Sequence, residues 1–191
     1  MLNGLQKPAS GVITYPGLPS SSSSPSFSGT GTGTEDVFAD PSVAMMLPQR
    51  PVPAPGPLLW HQVVYPLTRP PCDPTIIHSL LSSVGLGHIV DRYDGGVEVG
   101  NRNIPTDWVG TLSPGEMQRL CIARVLYHCP RLVLLDEPCS AMDDGSAREM
   151  LELLKGARRL FQGEGSGMAV VTVAQQTDAY LALHSTHISL S

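Results

Sequence analysis

Aliphatic positions along the chain follow two different rhythms. Leu132, Val133, Leu134 and Leu135 run unbroken and then give way to Asp136 and Glu137. A short continuous apolar run of this kind marks a strand of a parallel sheet that is covered on both faces. Ala169 to Val173 has the same character and predicts a second buried strand, and residues 43–47 predict a third that leads into Gln49. The other rhythm is helical. Between Asp144 and Phe161, the residues Ala147, Met150, Leu151, Leu154, Ala157 and Phe161 recur at helical spacing and form one core-facing stripe. Ile76, Ile77, Leu80, Leu81 and Val84 do the same over Thr75 to Val84, and Met117 to Tyr127 is apolar on most faces before Cys129-Pro130 stops it. Leu58 to Tyr65 reads as helical or mixed, Thr177 to Leu183 as a short helix, and Thr186 to Leu190 alternates like a last strand. Strands and helices interleaved in this order define an α/β domain with a mostly parallel sheet flanked by helices.

Composition narrows the picture. The chain has 191 residues, enough for one domain, and 41% of them are apolar. Many of its 18 prolines and 19 glycines lie in residues 16–57. Residues 17–41 contain a Ser/Gly/Thr/Pro-rich, low-complexity stretch that reads as a disordered surface insertion between two strands. A net charge of −5 without any basic block argues against nucleic acid as a partner. Cys72, Cys121, Cys129 and Cys139 show no Cys-x-x-Cys spacing, which points to reduced thiols and away from a zinc site. No apolar stretch reaches the roughly 18 residues that cross a bilayer, so membrane association has to come from a partner or from chain upstream.

The chemistry concentrates between residues 112 and 143. Ser113 is placed to cap a helix, Pro114 falls at its first position, and Glu116 stands three residues after the cap. That is a capping box, and it fixes a helix start here. Free N–H groups and the positive end of the macrodipole make such a start a seat for phosphate oxygens, and Gly115 permits close approach. Asp136 and Glu137 close the aliphatic strand at its carboxyl end, where open α/β sheets bind ligands. Alternation along a strand directs neighbours to opposite sides, so the two acids can do different jobs, Asp136 holding a magnesium ion through water and Glu137 polarising an attacking water; the alternative is a strand end with two solvated acids.

In order and spacing this run resembles the nucleotide-binding domain of the ATP-binding cassette (ABC) family. Leu112 to Glu116 is similar to its signature motif, with Pro114 in place of the common glycine and Glu116 in place of glutamine. Leu132 to Glu137 resembles the Walker B strand, Ser140 to Asp143 the D-loop, and Met46 to Pro51 the Q-loop around Gln49. The Pro-Gln-Arg-Pro loop, the segment Gln62-Val63-Val64-Tyr65-Pro66, and Asp107-Trp108 before the signature are similar to subfamily D. Its members are half-transporters of peroxisomal and lysosomal membranes that handle fatty acyl-CoA or cobalamin.

The resemblance implies a partial P-loop NTPase fold. Residues 42–65 would form the Q-loop region, 66–111 a small helical subdomain, and 112–191 the signature helix, Walker B strand, D-loop and last strands. It implies ATP and Mg2+ as cofactors, with Asp136 and Gln49 on the metal and Glu137 as base. Ser113, Pro114, Gly115, Glu116, Gln49 and Asp143 would contact nucleotide. The implied partners are a second ABC domain, paired head to tail, and the transmembrane domain of a transporter at the cytosolic face of its membrane.

Two departures bear on activity. No Gly-x-x-x-x-Gly-Lys-Ser/Thr occurs in these residues, and Gly29-Thr30-Gly31-Thr32-Gly33-Thr34 lacks the lysine. Residues 1–13 resemble the end of the helix that follows a P-loop and the next strand, so the missing lysine belongs about one helix length upstream of Met1. Gln175 stands where the family places a switch histidine, and an amide cannot carry a charge there. His184 and His187 come too late to replace it. Two expectations follow: an ABC transporter ATPase domain seen as its C-terminal part, or a non-catalytic subunit that donates its signature motif in trans.

Overall fold

The computed structural model describes residues 40–68, 73, 75–93, 107–160, 168–175, 178–181 and 183–188. The helix end and strand expected over residues 1–15, nearly all of the insertion at 17–41 and the loop at 163–167 lie outside them. In chain order the elements are β1 (Ala44–Leu47), α1 (Leu59–Val64), α2 (Thr75–Ser83), α3 (Gly87–Tyr93), α4 (Pro114–His128), β2 (Leu132–Asp136), α5 (Asp144–Leu160), β3 (Ala169–Val173) and α6 (Asp178–Leu181).

The three strands pair in the order β1-β2-β3, all parallel. Met46, Leu134 and Val171 share one register row, and Leu47, Leu135 and Thr172 the next. Side chains of one row point to one face. The face carrying Leu47, Val133 and Leu135 belongs to the main core, with Met45 and Val170 packed against it. That core continues through Leu120, Ile122 and Ala123 of α4 and Met150, Leu151 and Leu154 of α5. The helix α4 lies at its centre, packed on α1, α2, α5 and β1. It ends where Cys129 turns left-handed (φ 46°) and returns its N–H to the carbonyl of Val125 at 2.9 Å. The stripe expected on α5 is buried at Ala147, Met150, Leu151 and Leu154.

Two sequence expectations need correction. Ala169 to Val173 forms a strand, but not a buried one: Ala169, Val171 and Val173 are exposed, Val173 by 60%. The reason is position, because β3 ends the described sheet and these residues share the face opposite the core. An aliphatic run reports β-propensity and apolar character, not which neighbours cover it. The alternation of Thr186 to Leu190 does not make a strand where it is described: residues 186–188 have no regular structure, and Ile188 is 84% exposed.

Two buried polar side chains, Gln62 and Trp108, are paired with backbone groups of the chain around them. Gln62, fully buried on α1, accepts from the Ala54 N–H at 2.8 Å and donates to the carbonyls of Ala54 and Gly56, each at 2.9 Å. Trp108 is buried and donates its indole N–H to the Pro57 carbonyl at 3.0 Å. These contacts clip residues 54–57 onto the helices and so set the path of the chain leaving Gln49. The two arginines of α4 also find partners. Arg124 donates to the Gln62 carbonyl at 2.9 Å and lies over the Tyr65 ring, and Arg119 reaches the Val84 carbonyl at 3.3 Å and Ser146 Oγ at 2.7 Å.

Replacing Gln62 by leucine keeps the volume but strands the N–H and C=O of Ala54 in the interior. Unmet groups of this kind cost about 1–3 kcal/mol each. Gln62→Leu is therefore expected to lose roughly 2–4 kcal/mol in equilibrium denaturation, and a loss below about 0.5 kcal/mol contradicts the role given to this amide.

Candidate functional site

Parallel pairing brings the carboxyl ends of the three strands to one edge of the sheet, and the chain leaves that edge at Gln49, Glu137 and Gln175. Side chains from the first two meet there. Gln49 donates its amide N–H to Glu137 Oε2 at 2.7 Å across 88 residues of sequence. Asp136 closes β2, in register with Val173, and is half-buried. Glu137 does not continue the pleat. Its φ of 44° is left-handed, and its N–H turns back to the Val173 carbonyl at 2.8 Å. For a residue with a Cβ that conformation costs about 1–2 kcal/mol. β2 ends at Asp136, so the direction of Glu137 is set by this turn and not by the pleat of the strand. Gln175 lies two residues beyond β3, exposed at the same end of the sheet.

The helix start at Ser113 is built as its residues suggest. Ser113 is extended (φ −65°, ψ 160°), and its Oγ accepts from the Glu116 N–H at 3.3 Å. Glu116 Oε2 accepts from the Ser113 N–H at 2.8 Å and from Ser113 Oγ at 2.7 Å. The other carboxylate oxygen of Glu116 meets His88 Nε2 of α3 at 2.8 Å. Burial, the largest single influence, pushes the Glu116 carboxyl up, but the hydrogen bonds from Ser113 and His88 together outweigh it and hold it below its ordinary value. Pro114 occupies the first turn, where its missing N–H is no loss. Gly115 is required by proximity: a Cβ there would lie 2.9 Å from the Ala141 carbonyl oxygen. The helix start thus rests directly on the turn that follows β2.

That turn is tied in turn to α4 and α5. Asp143 caps α5, accepting from the Ser146 N–H at 2.9 Å and from Ser146 Oγ at 2.6 Å, bonds that hold its carboxyl below the usual range. Gln118, buried on α4, accepts from the Ala141 N–H at 3.0 Å. Its amide nitrogen faces Ser140 Oγ at 3.0 Å, the Gln49 carbonyl at 3.3 Å and the Glu137 carbonyl at 3.5 Å. Sequence reasoning missed Gln118 and His88. The available signal was a lone amide among Met117, Leu120 and Cys121 on a helix otherwise read as buried.

Other expected residues fall elsewhere. His184 Nε2 meets Thr172 Oγ1 at 2.8 Å, and its ring lies 6.5 Å from that of His187. Cys121, Cys129 and Cys139 are free thiols, and burial pushes that of Cys139 up to about 11. Among the described residues no group of three or more His, Cys, Asp or Glu side chains could hold a metal. Magnesium does not demand such a cage, since it keeps waters and takes one or two carboxylates beside phosphate. The hard oxygen donors of Asp136 and Gln49 fit that ion. A cavity of about 390 Å³ opens beside Gln49, lined among others by Pro51, Leu112, Pro114, Met117 and Ala141; neither Asp136 nor Glu137 lines it.

A capped helix start is set on the turn after an Asp-Glu strand, with a glutamine of the neighbouring strand's loop on the second acid; these are residues that carried the resemblance noted in the sequence. The ABC transporter family matches residues 1–140, and the chain belongs to that family. Among its relatives are members of sub-family D. The lysosomal cobalamin transporter ABCD4 of Mus musculus is 32% identical over 151 residues, covering 75% of this chain and 23% of that protein. ATP-binding cassette sub-family D member 1 of Drosophila melanogaster is 37% identical over 115 residues, covering 58% and 15%. A solved bacterial Atm1-family ABC exporter with ATP bound is similar with a TM-score of 0.49 and 22% identity, over 74% of this chain and 22% of that one. The chain therefore spans less than a quarter of the length of these proteins, 23% and 15% for the two relatives. The nucleotide-binding domain is of the subfamily-D kind.

The Glu116 bonds make a pH prediction. Its folded value is depressed, so the stability it contributes is present above the ordinary carboxylate value of 4.5 and is lost as pH falls through the folded value. Thermal midpoints of the wild type should drop on acidification below that point, and Glu116→Gln should remove part of the slope. Identical slopes for the two proteins would contradict the bonding described.

Proposed function

We propose that the chain is the ATP-binding and ATP-hydrolysing domain of an ABC transporter and powers transmembrane transport. The observation that carries this reading is the 2.7 Å bond between Gln49 and Glu137, which brings together at the sheet's carboxyl edge the two residues such a reaction needs. In this reading Glu137 is the general base, with Oε2 oriented by Gln49 and Oε1 taking a proton from the attacking water. Asp136 and Gln49 hold Mg2+, and Asp143 orders the D-loop by capping α5. Mg2+ supplies charge neutralisation of the phosphates when bound. Ser113 to Glu116 present a helix N-terminus to the γ-phosphate of an ATP held by a second ABC domain. The capping box fixes that start before any nucleotide arrives, and Gln175 takes the switch position.

The remaining assignments follow the relatives. A transmembrane domain would couple to this one, at the cytosolic face of a peroxisomal or lysosomal membrane; no described helix is long and apolar enough to cross a membrane. The cargo would be of the cobalamin kind named for one relative or the fatty acyl-CoA kind of the subfamily. A second reading is a non-catalytic subunit that gives its signature motif to a competent partner, and Gln175 at the switch position favours it.

ATP turnover by the full-length protein carrying this sequence separates the two. Loss of a general base costs about 10²–10⁴-fold, so Glu137→Gln should lower kcat by at least about 100-fold while retaining ATP affinity. An unchanged kcat refutes Glu137 as base. A wild type that binds ATP between paired domains without hydrolysing it at this site selects the second reading.

A further inference from the structure

We propose that Gln118 is a positioning residue for hydrolysis: one buried amide sets where the backbones of Gln49 and Glu137 stand relative to each other, and so where their side chains meet. The inference rests on the ATPase reading above. It starts from a requirement of burial. Gln118 is 3% exposed, and a buried amide must satisfy both its oxygen and its two N–H groups. The oxygen accepts from the Ala141 N–H at 3.0 Å. The nitrogen has two protons to divide among Ser140 Oγ at 3.0 Å, the Gln49 carbonyl at 3.3 Å and the Glu137 carbonyl at 3.5 Å. The three segments it touches are the loops after β1 and β2 and the turn that follows.

An apolar residue of equal size would fill the space but leave the Ala141 N–H and the carbonyls to find other partners. The loops would then be free to separate by a fraction of an ångström to an ångström. Misplacement on that scale at a reacting centre costs about 10²-fold in rate. The capping box of the signature start is closed by Ser113 and Glu116 themselves, without Gln118. Arg119, the next residue, is tied to Val84 and Ser146 and supports α5 instead. Binding of nucleotide and positioning of the base are thus assigned to different side chains of one helix.

The test is Gln118→Met and Gln118→Glu in the full-length protein, read by ATP turnover and by amide hydrogen exchange. Gln118→Met should lower kcat by about 10- to 100-fold and move KM for ATP by less than about threefold. Exchange should quicken over residues 137–142 and 48–50 and stay unchanged in β2 and in the rest of α4. In Gln118→Glu the protonated carboxyl restores one donor and one acceptor, so its kcat relative to wild type should rise as pH falls. Parallel losses in kcat, KM and exchange protection throughout the domain would make Gln118 a structural residue only and overturn the proposal. If Gln118→Met does not fold, a flat relative pH profile for Gln118→Glu also overturns it. A wild type that neither binds nor hydrolyses ATP ends the ATPase reading; in that case unchanged exchange over residues 137–142 in either variant shows separately that the amide does not hold the turn.

Discussion

A buried amide cannot be left half-satisfied, and around Gln118 that constraint organises the site. The side chain takes an N–H from the turn after β2 and offers its protons to that turn and to two strand ends. Because the partners are mostly backbone groups, what is fixed is the course of the chain and not merely the choice of a rotamer. Gly115 is the counterpart on the same helix. With no Cβ it lets the start of α4 settle against the Ala141 carbonyl, an approach that any larger residue would resist at 2.9 Å. One helix therefore holds the turn by hydrogen bonds from one residue and by bare proximity at another.

The rest of the architecture delivers groups to that helix. Parallel strands place Gln49, Glu137 and Gln175 at one edge without any special local sequence. The left-handed turn at Glu137 then takes the chain out of β2, and the N–H bond to Val173 holds the strained residue in place. Gln62 and Trp108 secure the chain beyond Gln49 against α1 and the helices. Asp143 and Ser146 secure the chain beyond the turn against α5, with Arg119 completing the link back to α4. Rigid elements thus support the loops that carry Gln49, Glu137 and Asp143, which is what a site demanding fixed geometry requires.

What was legible in the sequence was local. Ser113 and Glu116 stand three residues apart and close their own box, so their spacing alone specifies the helix start. The stripe of α5 and the run of β2 likewise encode their own periods, and both elements form where the pattern places them. What was not legible depends on partners far away in the chain. Nothing near Ala169 to Val173 says that the strand ends the described sheet, and nothing near Gln118 names Gln49 as its neighbour across 69 residues. His88 meets Glu116 only because α3 folds beside the helix start. The roles of Gln49 and Asp143 toward nucleotide, and of Gln175 at the switch, came from resemblance, and the fold brings Gln49 onto Glu137.

The most direct measurement is a structure of the full-length protein with magnesium and a hydrolysis-resistant ATP analogue. The account predicts a γ-phosphate within hydrogen-bond distance of Ser113 and the Gly115 N–H, with the nucleotide otherwise held by a second ABC domain. Glu137 should face the phosphate on its own side of the sheet, with the Gln118 bonds intact. A nucleotide bound away from the start of α4, with Ser113 and Gly115 facing solvent or another part of their own chain, would contradict it.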